Sequence, residues 1–97
     1  MLDKVKQLME IKRQAENIKR ELEALSIEVA EGDGVTVEIT GAQQVKRIVL
    51  DDTLFAKERK DQLEVRLVRS VNSAIRKSQE CAAQKMRDVA GLSIPGL

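Results

Sequence analysis

The chain has 97 residues, a formal net charge of +1, one phenylalanine (Phe55) and no tryptophan, tyrosine or histidine. That length holds one small domain, and with so few aromatics its core must be aliphatic and thin, so stability from pairing with a second copy is expected. The missing histidine excludes imidazole acid–base chemistry and histidine metal sites, and the single cysteine, Cys81, cannot close an internal disulfide.

Residues 1–25 read as a helix. Leu8, Ile11, Ala15, Ile18, Leu22 and Leu25 alternate steps of three and four with no Gly or Pro between them, and the triplet Ile-Lys-Arg recurs after seven residues, at 11–13 and 18–20. A strict seven-residue period keeps its apolar seam against a partner helix, so this helix is expected to pack lengthwise and in part to project. Asp3, Lys4, Glu10 and Lys12 stand where a secretory signal would need apolar residues, and no run of about 18 apolar residues occurs. The expectation is a cytoplasmic protein with no membrane partner.

Over residues 26–51 the period changes from seven to two. Ile27 and Val29, then Val35, Val37 and Ile39, then Ile48 and Leu50 alternate with polar residues, which predicts three strands. Gly32-Asp33-Gly34 and Gly41-Ala42-Gln43-Gln44 supply the turns of an antiparallel meander. Lys46 falls in phase with Ile48 and Leu50, so the third strand either has a bulge or starts a residue later. Residues 52–60 read as a loop or short helix. A second long helix is predicted over 61–90, opened by an Asp61/Glu64 capping box, with Leu63, Leu67, Val68, Val71, Ile75, Ala82, Met86 and Val89 on its apolar stripe. Gly91 is its natural stop and 91–97 a mobile tail. The whole is a single α+β domain of order α-β-β-β-α, with the second helix returning antiparallel beside the first.

No G-x-S-x-G, Walker-type or C-x-x-C motif is present, Gly32-Asp33-Gly34 is not followed by a helix, and Asp51-Asp52 reads as a turn device; neither enzyme, cofactor, metal nor small-molecule substrate is expected. The cations are the informative residues. The first 25 residues hold six Lys/Arg against five Asp/Glu, residues 26–56 two against six, and residues 57–97 nine against five. On the first helix Lys6, Arg13 and Arg20 share one outward heptad position, and Lys12 and Lys19 the position beside it. On the second, Arg69, Arg76, Lys77, Lys85 and Arg87 lie off the apolar stripe. Antiparallel alignment predicts that Lys4, Lys6, Lys85 and Arg87 meet at the arm's tip. Such a surface suits a polyanion, since each neutralised phosphate releases counterions. The competing reading is a solvated face, because Lys6 and Glu10, Lys12 and Glu16, Glu16 and Arg20, and Lys19 and Glu23 are each four apart. Without stacking aromatics, a nucleic-acid partner would be double-stranded DNA rather than a single strand.

"GVTVEITGAQQVKRIVLD" (34–51), "LEVRLVRSVNSAIRKSQECAAQKM" (63–86) and "GLSIPGL" (91–97) carry a resemblance to the YbaB/EbfC family of bacterial nucleoid-associated proteins, over nearly the whole chain. Leu63-Glu64, Asn72 with Ala74 and Lys77, and Lys85-Met86 match its usual steps. The resemblance implies a tweezer-like homodimer that binds duplex DNA and serves nucleoid organisation or gene regulation. Leu8, Ile11, Ile18, Leu22, Val37, Ile39, Ile48, Leu67, Val71 and Ile75 are the expected dimer or arm-packing residues. The alternative is a protein-interaction or chaperone-like scaffold gripping a polypeptide between helical arms.

Overall fold

The computed structural model describes residues 2–93. Helix α1 (Leu2–Ala24) is followed by strands β1 (Ser26–Ala30), β2 (Val35–Thr40) and β3 (Val45–Leu50), two short 3-10 turns (Asp52–Phe55 and Lys57–Arg59) and helix α2 (Lys60–Ser93). This is the expected α-β-β-β-α order. Asp61 lies within the first turn of α2 instead of capping it, and the helix passes Gly91 to Ser93. One glycine costs about 1 kcal/mol in a helix and does not end it alone. Of the expected tail, residues 94–97 lie outside the described residues.

The sheet is an antiparallel meander in the order β1-β2-β3. Its register sets Ile27 opposite Ile39 and Val29 opposite Val37, so the apolar positions of β1 and β2 share a face. Across the other side Val37 opposes Ile48, Glu38 opposes Arg47 and Ile39 opposes Val45, which leaves Lys46 as the extra residue of a bulge. Of the two options open for β3, the bulge is the one adopted. Gly32 and Gly34 have φ of 79° and 91°, the left-handed conformation that the tight β1–β2 turn demands.

Helix α2 lies along β2: Arg66 donates to the Asp33 carbonyl before the strand, and Ser78 to the Thr40 carbonyl at its end. The core beneath it consists of Val29, Val35, Val37, Ile39, Leu54 and Ala74, with Ile27, Leu50, Leu63, Leu67, Val71 and Ile75 packed around them. Burying each larger aliphatic contributes roughly 1.5–3 kcal/mol. The residues of α2 that face the sheet directly include Ser70, Ala74 and Ser78, all fully buried. Their small side chains let the helix axis approach closely. Val37 and Ile39, expected to serve dimer or arm packing, are instead at the centre of this intrachain core, at 0% exposure.

Beyond Ser78, α2 runs off the end of the sheet and meets α1 coming in. The molecule measures 68 × 22 × 16 Å, with a radius of gyration of 19.0 Å, against about 13 Å for a compact chain of this length. It divides into a hub, made of the sheet and the first half of α2, and a projecting arm. The expected side-by-side course of the two helices is only partly realised. Lys85 pairs with Glu21 at 2.5 Å, and counting outward from that pair brings Ser93 opposite the middle of α1. The first half of α1 therefore lies beyond the described part of α2. Ile18 is buried and Leu22 half-buried, whereas Leu8 and Ile11 are 66% and 62% exposed.

Candidate nucleic-acid interface

The arm's cations follow from the same heptad that places its seam. With Leu8, Ile11, Ile18 and Leu22 on one face, Lys6, Arg13 and Arg20 fall on the opposite face at intervals of about 10 Å. That is about three times the rise per phosphate along one strand of a duplex. All three are exposed, as are Lys4, Lys12 and Lys19. A straight rod with regularly spaced cations can follow a phosphate backbone without reading bases.

The pairing pattern distinguishes a free basic surface from a self-neutralised one. Among the described residues, none of the four i, i+4 pairs offered by the sequence is formed. Within α1 the ion pair is Arg13 Nη2 to Glu10 Oε1, 2.6 Å, and Arg20 donates to the Asn17 carboxamide, 2.5 Å. Pairs of this kind on an exposed helix contribute a few tenths of a kcal/mol and yield readily to a phosphate. Lys4, Lys6, Lys12 and Lys19 take part in no ion pair among the described residues. The same holds for Arg76 and Lys77, which are exposed where the arm leaves the hub.

Other expected contact residues are paired within the chain. Arg69 reaches Asp33 at 3.1 Å, clasping the β1–β2 turn to α2. Burial works against ionisation of Asp33, but the Arg69 guanidinium and the Val35 N–H outweigh it and hold the carboxyl below its ordinary value of 3.8. At the next turn the Thr53 backbone N–H and hydroxyl similarly lower the Asp51 carboxyl. Lys85 is occupied by Glu21, and Arg87 donates to Gln84 at 2.8 Å. The expected meeting of Lys4 and Lys6 with Lys85 and Arg87 does not occur. Lys85 sits beside Glu21, about 25 Å along α1 from Lys4. Lys4, Lys6, Lys12 and Lys19 on α1 and Arg76 and Lys77 on α2 are thus exposed cations without an ion pair among the described residues, and not a cluster at a shared tip.

A feature missed in the sequence is the uncovered flank of the hub. Helix α2 lies over β1 and β2 and leaves the inner face of β3 partly open, with Val45 and Ile48 at 43% and 40% exposure. Val65, Val68 and Phe55 are more exposed still. Val68 was expected on the inward stripe with Leu67, but the inward positions are Leu63, Leu67, Ser70, Ala74 and Ser78. Serines at steps of three and four among apolar residues were the signal.

No helix of the described residues is long and apolar enough to cross a membrane, and no group of three or more His, Cys, Asp or Glu among them could hold a metal.

Fold and surface together define a class: small helix–sheet–helix proteins with a thin aliphatic hub and a projecting cationic rod. Residues 1–93 match the model of the YbaB/EbfC DNA-binding family. The chain is 33% identical to a nucleoid-associated protein of Afipia carboxidovorans, over 99% of this chain and 93% of that one. A nucleoid-associated protein of Syntrophobacter fumaroxidans is 39% identical over 82% of this chain and 74% of its own, and one of Agrobacterium fabrum 34% identical over 98% and 88%. The chain belongs to the YbaB/EbfC DNA-binding family.

Proposed function

We propose that the protein acts as a homodimer that holds duplex DNA along its arms by phosphate contacts, and so serves nucleoid organisation or gene regulation in the cytoplasm. The observation that carries this reading is the row of lysines on α1 that no carboxylate of the described residues neutralises, Lys6, Lys12 and Lys19 foremost. The 26–56 segment, with six Asp/Glu against two Lys/Arg, repels the backbone while the arm's cations attract it, which orients the encounter. Dimerisation is supported by the exposed apolar side chains of the hub, Val45 and Ile48 on β3, Val65 and Val68 on α2, and Phe55, which a second copy would cover. Pairing there leaves both arms free.

The test is a titration with duplex DNA at low and moderate salt, beside a mass measurement. Affinity is expected to fall by about a hundredfold or more between 50 and 200 mM salt if several phosphates are engaged. Binding that is absent at low salt, or indifferent to salt, contradicts the proposal. A second reading draws on the exposed ridge of Val5, Leu8, Met9 and Ile11, which a scaffold gripping a partner polypeptide would require. It predicts that an unfolded protein binds the arm with little dependence on salt, whereas phosphate contact predicts duplex binding that weakens steeply as salt rises.

A further inference from the structure

Apart from α2, which runs unbroken from hub to arm, the arm meets the hub at the β2–β3 turn over residues 41–44. Ser78, fully buried on α2, donates its hydroxyl proton to the Thr40 carbonyl at 2.7 Å and accepts the Gln43 N–H at 3.0 Å. Gln43 has φ 65°, left-handed backbone that side-chain-bearing residues seldom adopt. Its N–H also reaches the Thr40 carbonyl, at 3.1 Å. The Thr40 hydroxyl in turn accepts the N–H groups of Ala42 and Gln44, both at 3.2 Å. On its other side the turn holds α1. Gly41 N–H donates to the Leu25 carbonyl at 3.2 Å, and a Cβ added at Gly41 would lie 3.0 Å from the Leu22 carbonyl oxygen.

These contacts bear on direction. Helix α2 passes through the junction unbroken and is stiff. Helix α1 is joined to β1 through Leu25 alone, so its swing relative to the hub is limited by what grips its last turn. Besides its packing on α2 through Ile18 and the Lys85–Glu21 pair, that grip is the 41–44 turn, and Ser78 is the group that anchors the turn to α2. We propose that the turn is the clamp that sets the arm's direction, and that Ser78 is a positioning residue for DNA binding that touches no DNA itself. The consequence for DNA rests on the function proposed above; the clamp does not.

Spin labels at Met9→Cys and Glu58→Cys, in a Cys81→Ser background and diluted with excess unlabelled protein, report the arm-to-hub distance without DNA. The parent protein is expected to give one narrow distribution, Ser78→Ala a broad one, and Ser78→Thr, which keeps the hydroxyl, a narrow one again. Gly41→Ala is expected to shift the mean, because its new methyl meets the Leu22 backbone at 3.0 to 3.3 Å as well as the Leu22 side chain, and the backbone cannot turn aside. It also decides the matter should Ser78→Ala fail to fold. Unchanged distributions in Ser78→Ala and Gly41→Ala, or in Gly41→Ala alone where the other does not fold, overturn the clamp. Duplex affinity of Ser78→Ala is expected to be about tenfold weaker with the salt slope retained, since a loosened arm loses preorganisation and not charge. Unchanged affinity with a broadened distribution overturns the positioning role. A parent protein that binds no DNA overturns the function while the distances still decide the clamp.

Discussion

The hub and the arm use the same aliphatic side chains to different ends. In the hub, Val35, Val37 and Ile39 are at most 1% exposed beneath α2, and the close approach of Ser70, Ala74 and Ser78 seals them. In the outer arm, Leu8 and Ile11 follow an equally regular period yet remain about two-thirds exposed, with the described part of α2 reaching only opposite the middle of α1. Regular patterning shows which face is apolar; only the length and course of the neighbouring element decide whether that face is covered. The charges divide the same way. Three hub cations are tied down, Arg69 by Asp33 and Lys46 and Arg47 by Glu38, while the outer arm's lysines take part in no ion pair among the described residues.

The sharpest contrast is in stability. Ile39→Ala should destabilise the protein by about 3 kcal/mol, since it opens a cavity in a core with no slack, whereas Leu8→Ala should change stability by less than about 0.5 kcal/mol. Denaturant unfolding of the two variants measures the difference, and equal costs would show that the arm's ridge is covered in solution. Next in size, Val68→Glu on the hub's open flank should weaken self-association by about 2 kcal/mol while leaving the protomer folded, as sedimentation and circular dichroism can show. A mass unchanged at micromolar protein moves the dimer contact elsewhere.

Ser70 gives a smaller effect of opposite sign. Its hydroxyl is buried and has no hydrogen-bond partner among the described residues. Ser70→Ala should therefore stabilise the hub by about 1 kcal/mol, and a loss of stability would mean that the hydroxyl has a partner. The smallest effect concerns acid. Because the Asp33 carboxyl is held below 3.8 in the folded state, its contribution is fully present above that value and fades as pH falls through the lower folded-state value. Asp33→Asn should leave stability flat between the parent and itself across pH 5 to 7 in slope, and narrow the gap only below about pH 4. A gap that narrows near neutrality assigns the dependence to another group.

Much of this was legible in the sequence, and the reasons are physical. Side-chain alternation at 27–29, 35–39 and 48–50 reports burial against one face, and Lys46 broke the phase where the bulge lies. Gly32 and Gly34 take the positive φ that their spacing announced. The arm was harder to read. A heptad reports that a partner is preferred, not where the partner stops, so Lys85 was expected near Lys4 and is found beside Glu21. The inward face of α2 was hidden because Ser70 and Ser78 look polar in a list of residues while acting as spacers in the packed structure. Charge pairing was equally opaque: four i, i+4 pairs were possible on α1, and side-chain entropy left the lysines free of them.

The most direct test sets the free cations of the arm against the tied cations of the hub. The Lys6→Gln, Lys12→Gln, Lys19→Gln variant and the Lys46→Gln, Arg47→Gln variant are titrated with one duplex over a range of salt. The arm variant should flatten the slope of log affinity on log salt by about 2 to 3 units for each arm engaged, and the hub variant should hold it within about half a unit. Equal slopes, or a larger loss from the hub variant, contradict a DNA interface on the arm.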